Sequence, residues 1–143
     1  MYSLSYSAIK FNISSSKDDF PLIDLDREQM VRVFTNLIAN SVDSLDGGGD
    51  GEIEFFTSIL DNYKMIRVEV KDNGSGIPDK VKKKVLEPYF STKKHGTGLG
   101  LAIVNQIVSD HGGYLRITDN FPKGTVVAIE LPYSSKGNEN EHS

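Results

Sequence analysis

The sequence contains no cysteine, which excludes a disulfide framework and any thiolate metal site. No apolar run approaches the roughly 18 residues that a bilayer-spanning helix needs. The N-terminus also lacks the charged-then-apolar layout of a secretion signal. No internal repeat and no linker divides the chain. Charge of one sign is not in large excess, since 16 basic and 20 acidic residues leave −4 at pH 7. That balance argues against a general nucleic-acid binder, and the cluster at Lys80, Lys82, Lys83 and Lys84 is ordinary for a solvated helix face. No Gly-Lys-Ser/Thr triplet exists, so a P-loop is absent. What remains is 143 residues, enough for one domain that buries roughly two-thirds of its unfolded surface. We expect residues 1–133 to form that domain and the polar stretch 134–143 to be a disordered tail.

Periodicity places the elements. Ser7 to Ser14 alternates, with Ile9, Phe11 and Ile13 on one face of a strand. Leu25 to Leu45 predicts a long helix, with Asp26 as N-cap and Gln29 three residues on. Its buried face is Met30, Val33, Phe34, Leu37, Ile38, Val42 and Leu45. Glu52 to Ile59 and Met65 to Val70 alternate as strands, with Asp61-Asn62 suited to a tight hairpin turn. Pro78 opens a short helix over Ile77 to Leu86, and Glu87 to Thr97 is aperiodic. Leu99 to His111 is an apolar helix closed by Gly112-Gly113. Tyr114 to Thr118 and Thr125 to Leu131 form a last antiparallel pair. Hairpin-joined strands with helices on one face predict an α+β, two-layer α/β sandwich with a mixed, mostly antiparallel sheet.

Four segments carry chemistry. Asn36, Asn40 and Asp43 share one helical stripe at the border of the apolar face. Asparagine is a poor helix-interior residue, whereas an amide oxygen can ligate Mg²⁺, a hard ion that keeps several waters. The alternative is two solvated asparagines. Asp72-Asn73-Gly74-Ser75-Gly76 follows a strand, and a carboxylate there can accept from an exocyclic amine such as adenine N6. The same residues also make an ordinary turn. Gly96-Thr97-Gly98-Leu99-Gly100 opens a helix whose free N–H groups favour phosphate. It lacks the spacing and the preceding strand of a dinucleotide fingerprint, and a bland loop would look similar. Glu87-Pro88-Tyr89-Phe90-Ser91-Thr92-Lys93 has two rings to pin a loop and a lysine to meet phosphate as a point charge. Glycine-hinged, it reads as a lid or as a plain surface loop.

In this order, the segments resemble the GHKL nucleotide-binding superfamily and, within it, the histidine kinases. Asn36-Leu-Ile-Ala-Asn40 resembles the N-box, Asp72-x-Gly-x-Gly76 the first glycine box, and Pro88-Tyr-Phe-Ser-Thr-Lys93 the phenylalanine box. Gly96-Thr-Gly-Leu-Gly100-Leu resembles the second glycine box, and Lys123-Gly-Thr125 the short last one. The likeness spans roughly residues 9 to 132, and its Glu-Pro-Tyr-Phe-Ser-Thr-Lys run is similar to nitrogen-regulation sensor kinases. The resemblance implies the Bergerat fold with a flexible ATP lid, and ATP and Mg²⁺ as cofactors.

By that resemblance Asn40 ligates the metal, with Asn36 beside it. Asp72 holds the adenine amino group with Thr125 nearby, and Gly74 and Gly76 let the chain pass under the base. Gly98, Leu99 and Gly100 present amides to the phosphates, and Thr92 and Lys93 reach in from the lid. Asp43, Ile77, Tyr89, Gly96, Thr97 and Leu101 complete the nucleotide lining. Asn36, Asn40 and Lys93 are the residues expected to act in phosphoryl transfer. Asn36 stands where hydrolysing members of the superfamily carry a water-activating glutamate, and an amide cannot act as a general base.

The implied activity is donation of the γ-phosphate of Mg-ATP to a histidine on a separate dimerisation domain in two-component signalling, with a response regulator as the indirect partner. A hydrolysing ATPase, a serine kinase of the anti-sigma-factor type and a non-catalytic nucleotide-binding module are the alternatives. None of His95, His111 and His142 sits in a phosphoacceptor motif, so the acceptor is expected outside this chain. His95 reads as a lid residue and His111 as a helix C-terminal residue favoured by the dipole. The expected setting is cytoplasmic, without nucleic-acid or membrane contact by this segment, and monomeric.

Overall fold

A computed structural model describes residues 9–16, 20–21, 23–45, 50–84 and 100–133. The described elements run β1 (Lys10–Ser15), α1 (Arg27–Ser44), β2 (Glu52–Leu60), β3 (Met65–Asp72), α2 (Asp79–Lys82), α3 (Gly100–Asp110), β4 (Tyr114–Asp119) and β5 (Thr125–Pro132). The five strands form one sheet in the order β1-β2-β3-β5-β4. β1 pairs parallel with β2, and the other three pairings are antiparallel. Helices α1 and α3 pack on each other and on the sheet. This is the expected two-layer α+β arrangement with a mixed, mostly antiparallel sheet.

The core lies between the helices and one sheet face. Val33 and Leu37 of α1 and Val104 and Val108 of α3 are fully buried against Ile53, Val70 and Ile129. The α1 residues are spaced for one helical stripe and the strand residues for one pleat face. Asp26 caps α1 as expected, its Oδ1 accepting from Gln29 N at 3.0 Å. On the other sheet face, Glu130 is 5% exposed. Arg116 Nε meets both of its carboxylate oxygens at 3.2 Å, and Arg67 Nε lies 3.7 Å away. Cross-strand arginines thus compensate a carboxylate whose burial would otherwise be costly.

The structure bears out one local expectation with an unforeseen exposure and revises two others. Phe11 and Ile13 do share the register face of Ile53 and Phe55, but they are 54% and 85% exposed. β1 is the edge strand, so alternation set their face without guaranteeing a cover. Only Ile9 of that trio packs against the core. The β2–β3 connection is not a two-residue turn. A 3₁₀ turn, Asp61–Tyr63, is followed by Lys64 at φ 54°, an uncommon left-handed position for a residue with a β-carbon. The helix expected over 77–86 is described only as Asp79–Lys82, and residues 85–99 and 134–143 lie outside the described residues.

Leu37→Ala should cost about 2–5 kcal/mol through lost burial and a residual cavity, whereas Ile13→Ala should change stability by no more than about 0.5 kcal/mol. Denaturant titration of the two variants checks the contrast.

Candidate functional site

Asp72 ends β3 and faces Thr125, the first residue of β5, in the ladder. It is 4% exposed. Three donors converge on its Oδ1: Gly74 N at 2.9 Å, Ser44 Oγ at 3.0 Å and Thr125 N at 3.3 Å. Its main-chain oxygen accepts from Asn120 Nδ2 at 2.8 Å. These donors satisfy a carboxylate oxygen whose burial would otherwise be costly.

Two glycines make the convergence possible. A β-carbon at Gly74 would lie 1.9 Å from Ser44 Oγ and 2.3 Å from Ser44 O. The loop after β3 therefore presses directly on the C-terminal turn of α1, where Ser75 N also donates to Ser44 O at 3.1 Å. Gly124 has φ 110°, and a β-carbon there would lie 1.9 Å from Asp72 O. No side chain fits at either point. Gly76 sits nearby at φ 82°, 3.5 Å from Gly124 O by the same measure.

Asn40 and Asn36 lie about one and two turns back along α1 from Ser44, and both are half-buried. They face the start of α3. A β-carbon at Gly100 would stand 3.8 Å from Asn36 Oδ1, 3.8 Å from Asn40 Nδ2 and 3.9 Å from Asn40 Oδ1. A helix rise of 1.5 Å per residue sets Asn40 about 6 Å and Asn36 about 12 Å along the axis from Ser44. One side of α1 thus carries a buried carboxylate's donor at one end and two amides beside a helix N-terminus further back.

Of the other expected residues, Thr125 is buried and donates to Asp72, Ile77 is half-buried, and Asp43 is exposed. Leu101 is half-buried and packs against the core cluster. Tyr89, Thr92, Lys93, Gly96, Thr97, Gly98 and Leu99 lie outside the described residues. Among the described residues no group of three or more His, Asp or Glu side chains could hold a metal, so any metal here depends on amide oxygens and ligand phosphates. The sequence reading missed Ser44, Asn120 and the steric need for Gly124. Ser44 is 28 residues from its carboxylate and Asn120 is 48 away, with no local pattern to connect them.

The family model for histidine kinase-, DNA gyrase B- and HSP90-like ATPases matches residues 25–135. The chain belongs to this family. It is 38% identical to sporulation kinase A of Bacillus subtilis over 83% of this chain and 19% of that protein. It is equally 38% identical to the sensory histidine kinase/phosphatase NtrB of Azospirillum brasilense, over 74% of this chain and 29% of that one. The catalytic domain of histidine kinase ThkA superposes with a TM-score of 0.78 at 32% identity, covering 92% of this chain and 83% of that domain. ThkA has also been solved in complex with the response regulator TrrA, where the match has a TM-score of 0.74 at 28% identity over 95% of this chain and 37% of that one.

The chain is therefore a histidine-kinase-type catalytic ATPase domain with the GHKL fold, and the family makes ATP its nucleotide. It spans less than a third of the length of these two curated relatives. Equal likeness to a sporulation kinase and to NtrB means that the nitrogen-regulation type is not singled out. Among the described residues no helix is long and apolar enough to cross a membrane.

Helix α2, which leads toward the residues of the expected lid, is tied to the sheet by Lys82. Its Nζ pairs with Asp79 in the same turn and with Asp119 Oδ1 at 2.9 Å at the end of β4. Bonding to Lys82 holds the Asp79 carboxyl below its ordinary 3.8, and bonding to Asp79 and Asp119 raises Lys82 above 10.5. The contribution of Asp79 is present above pH 3.8 and is lost as pH falls through the lowered folded value. That of Lys82 is present below pH 10.5 and is lost as pH rises through the raised one. The link should therefore add no pH dependence between roughly pH 5 and 9, so Lys82→Met should shift the thermal midpoint by the same amount at both limits. Gly124→Ala should destabilise by about 3 kcal/mol or more, from left-handed strain and main-chain overlap. Gly100→Ala, with nothing nearer than 3.8 Å, should fold normally, and melting curves of both variants separate the two cases.

Proposed function

We propose that this chain binds Mg²⁺-ATP and holds the γ-phosphate for attack by a histidine on a separate dimerisation domain. The observation that carries the reading is the disposition along α1. A buried carboxylate sits beside Ser44, and Asn36 and Asn40 stand beside Gly100, about 6 to 12 Å further along the axis. A base with an exocyclic amine suits the first end, where Asp72 accepts and Thr125 lies alongside. Phosphates suit the second, where α3 begins at Gly100, and we assign the amides of Gly98, Leu99 and Gly100 to them.

The paired asparagine oxygens fit a magnesium ion that keeps waters and takes its remaining ligands from phosphate. Asn40 is the ligand we assign, with Asn36 adjacent. When bound, the ion would neutralise charge on the phosphates. Asp72 orients the base, and Gly74, Gly76 and Ile77 shape its floor. Asp43, Tyr89, Thr92, Gly96, Thr97 and Leu101 complete the lining, and Lys93 supplies positive charge from the lid. Phosphoryl transfer needs mainly such positioning and charge neutralisation.

Asn36 cannot activate water, which favours a kinase that retains ATP until its acceptor arrives over a steady hydrolase. The kinship with ThkA, solved with a response regulator, supports a receiver domain as the downstream partner. A cytoplasmic setting follows from the need for ATP. The Glu87-Pro-Tyr-Phe-Ser-Thr-Lys93 run supports a nitrogen-regulation type of sensor.

Calorimetric titration with Mg-ADP and Mg-ATP tests the reading. We expect wild-type binding, at least about a hundred-fold weakening by Asp72→Asn, and ATP turnover near background. Radiolabel from [γ-³²P]ATP should move to an added histidine-bearing dimerisation domain. Absence of binding at millimolar nucleotide, or an unaffected Asp72→Asn variant, would sink the assignment.

A further inference from the structure

His111 directly follows α3, and both ring nitrogens are engaged. Nδ1 lies 2.8 Å from Ile107 O, and Nε2 lies 3.1 Å from Asp26 N. A carbonyl oxygen only accepts, so Nδ1 must carry the proton. A main-chain N–H only donates, so Nε2 must be bare. The ring is thus a neutral imidazole in one fixed tautomer. This corrects the expectation of a residue favoured by the helix dipole, an effect that requires the cation.

The residue it grips is the N-cap of α1. The main-chain N–H of Asp26 lies outside the intrahelical ladder, while its carboxylate caps Gln29. The link therefore joins the C-terminal end of α3 to the N-terminal end of α1. At their other ends the same two helices meet where Gly100 approaches Asn36 and Asn40. From Asp26 to Asn36 and Asn40 is about 15 to 21 Å of helix, and from Gly100 to His111 about 16 Å. The two helices are consequently antiparallel and held at both ends of one shared span.

Between those ends the contact is Val33 and Leu37 with Val104, Ile107 and Val108. Apolar burial is non-directional, so it resists separation more than it resists sliding or rotation. A hydrogen bond has a preferred length and angle and does fix register.

We propose that His111 is a positioning residue. Its neutral imidazole sets the register of α3 against α1, and so the placement of the Gly100 end relative to Asn36 and Asn40. The inference rests on the nucleotide reading above, since only a ligand bridging both helices senses that register.

The test uses the 143-residue chain. Long-range ¹H–¹⁵N correlation of the ring nitrogens should show the proton on Nδ1 of His111. Calorimetry with Mg-ADP, run well below each melting midpoint, compares wild type, His111→Leu and His111→Gln. Glutamine places an acceptor oxygen the same number of bonds from Cα as Nε2, whereas leucine offers none.

Leucine should weaken binding about five- to ten-fold, and glutamine should recover it to within about two-fold of wild type. Wild-type affinity in the leucine variant, equal weakening in both, or a proton on Nε2 would overturn the proposal. If the leucine variant does not fold, the tautomer and the glutamine variant decide it: Nδ1–H with near-wild-type affinity supports the latch, and either result reversed refutes it. A wild-type chain that binds no nucleotide refutes the nucleotide reading instead, an outcome distinct from a failure of the latch.

Discussion

The site depends on one oxygen atom. Oδ1 of Asp72 collects donors from the C-terminal turn of α1, from the loop after β3 and from the start of β5. A buried carboxylate must be compensated in this way, because leaving it without donors would cost several kcal/mol. The requirement propagates outward. Ser44 must present its hydroxyl, so the last turn of α1 must end against β3. Gly74 must lack a side chain because Ser44 lies within 1.9 Å of where one would begin. Gly124 must do the same because the turn before β5 crosses the Asp72 carbonyl at the same separation. Three segments distant in sequence are thereby brought to one point, and none can shift without disturbing the others.

Helix α1 converts that point into an extended site. Its successive turns hold the cap gripped by His111, the asparagine pair beside Gly100, and the serine that meets Asp72. A single straight element with 1.5 Å rise per residue fixes these separations more rigidly than loops would. Its inward stripe of Met30, Val33, Leu37 and Leu45 is buried, which sets the side of the helix that faces the core. Core packing and ligand placement are therefore the same constraint viewed from two sides of one helix.

Much of this was legible in the residues. The 3.6-residue spacing located α1, the Asp26 side chain marked its start, and alternation located β2, β3, β4 and β5 within a residue or two. The ordered boxes pointed to Asn36, Asn40, Asp72 and Gly100, and the structure places Asn36, Asn40 and Gly100 together. What escaped has a common cause. Ser44 looks like any helix-end serine, Asn120 like any turn residue and His111 like any helix-terminal histidine. Each acquires its meaning from a partner 28 to 85 residues away. Phe11 and Ile13 alternate as a buried strand would, but strand order put β1 at the edge, and periodicity carries no information about order. Glu130 looks like an outward-facing residue until β3 and β4 bring Arg67 and Arg116 alongside.

Charge is distributed along the site in a way that suits a polyanionic ligand with a neutral head. On the proposed reading the acid sits at the base end, buried and hydrogen-bonded by three donors, where it can accept from an amine without facing phosphate. At the other end the described side chains are amides, which can offer oxygen to a cation or N–H to an anion without adding negative charge of their own. Reversing the two would set a carboxylate against phosphates across a short, partly buried gap, where Coulomb repulsion is far less screened than in water. On that reading, a carboxylate at one end and amides beside the N-terminus of α3 at the other meet an electrostatic requirement of a nucleoside triphosphate as well as a geometric one.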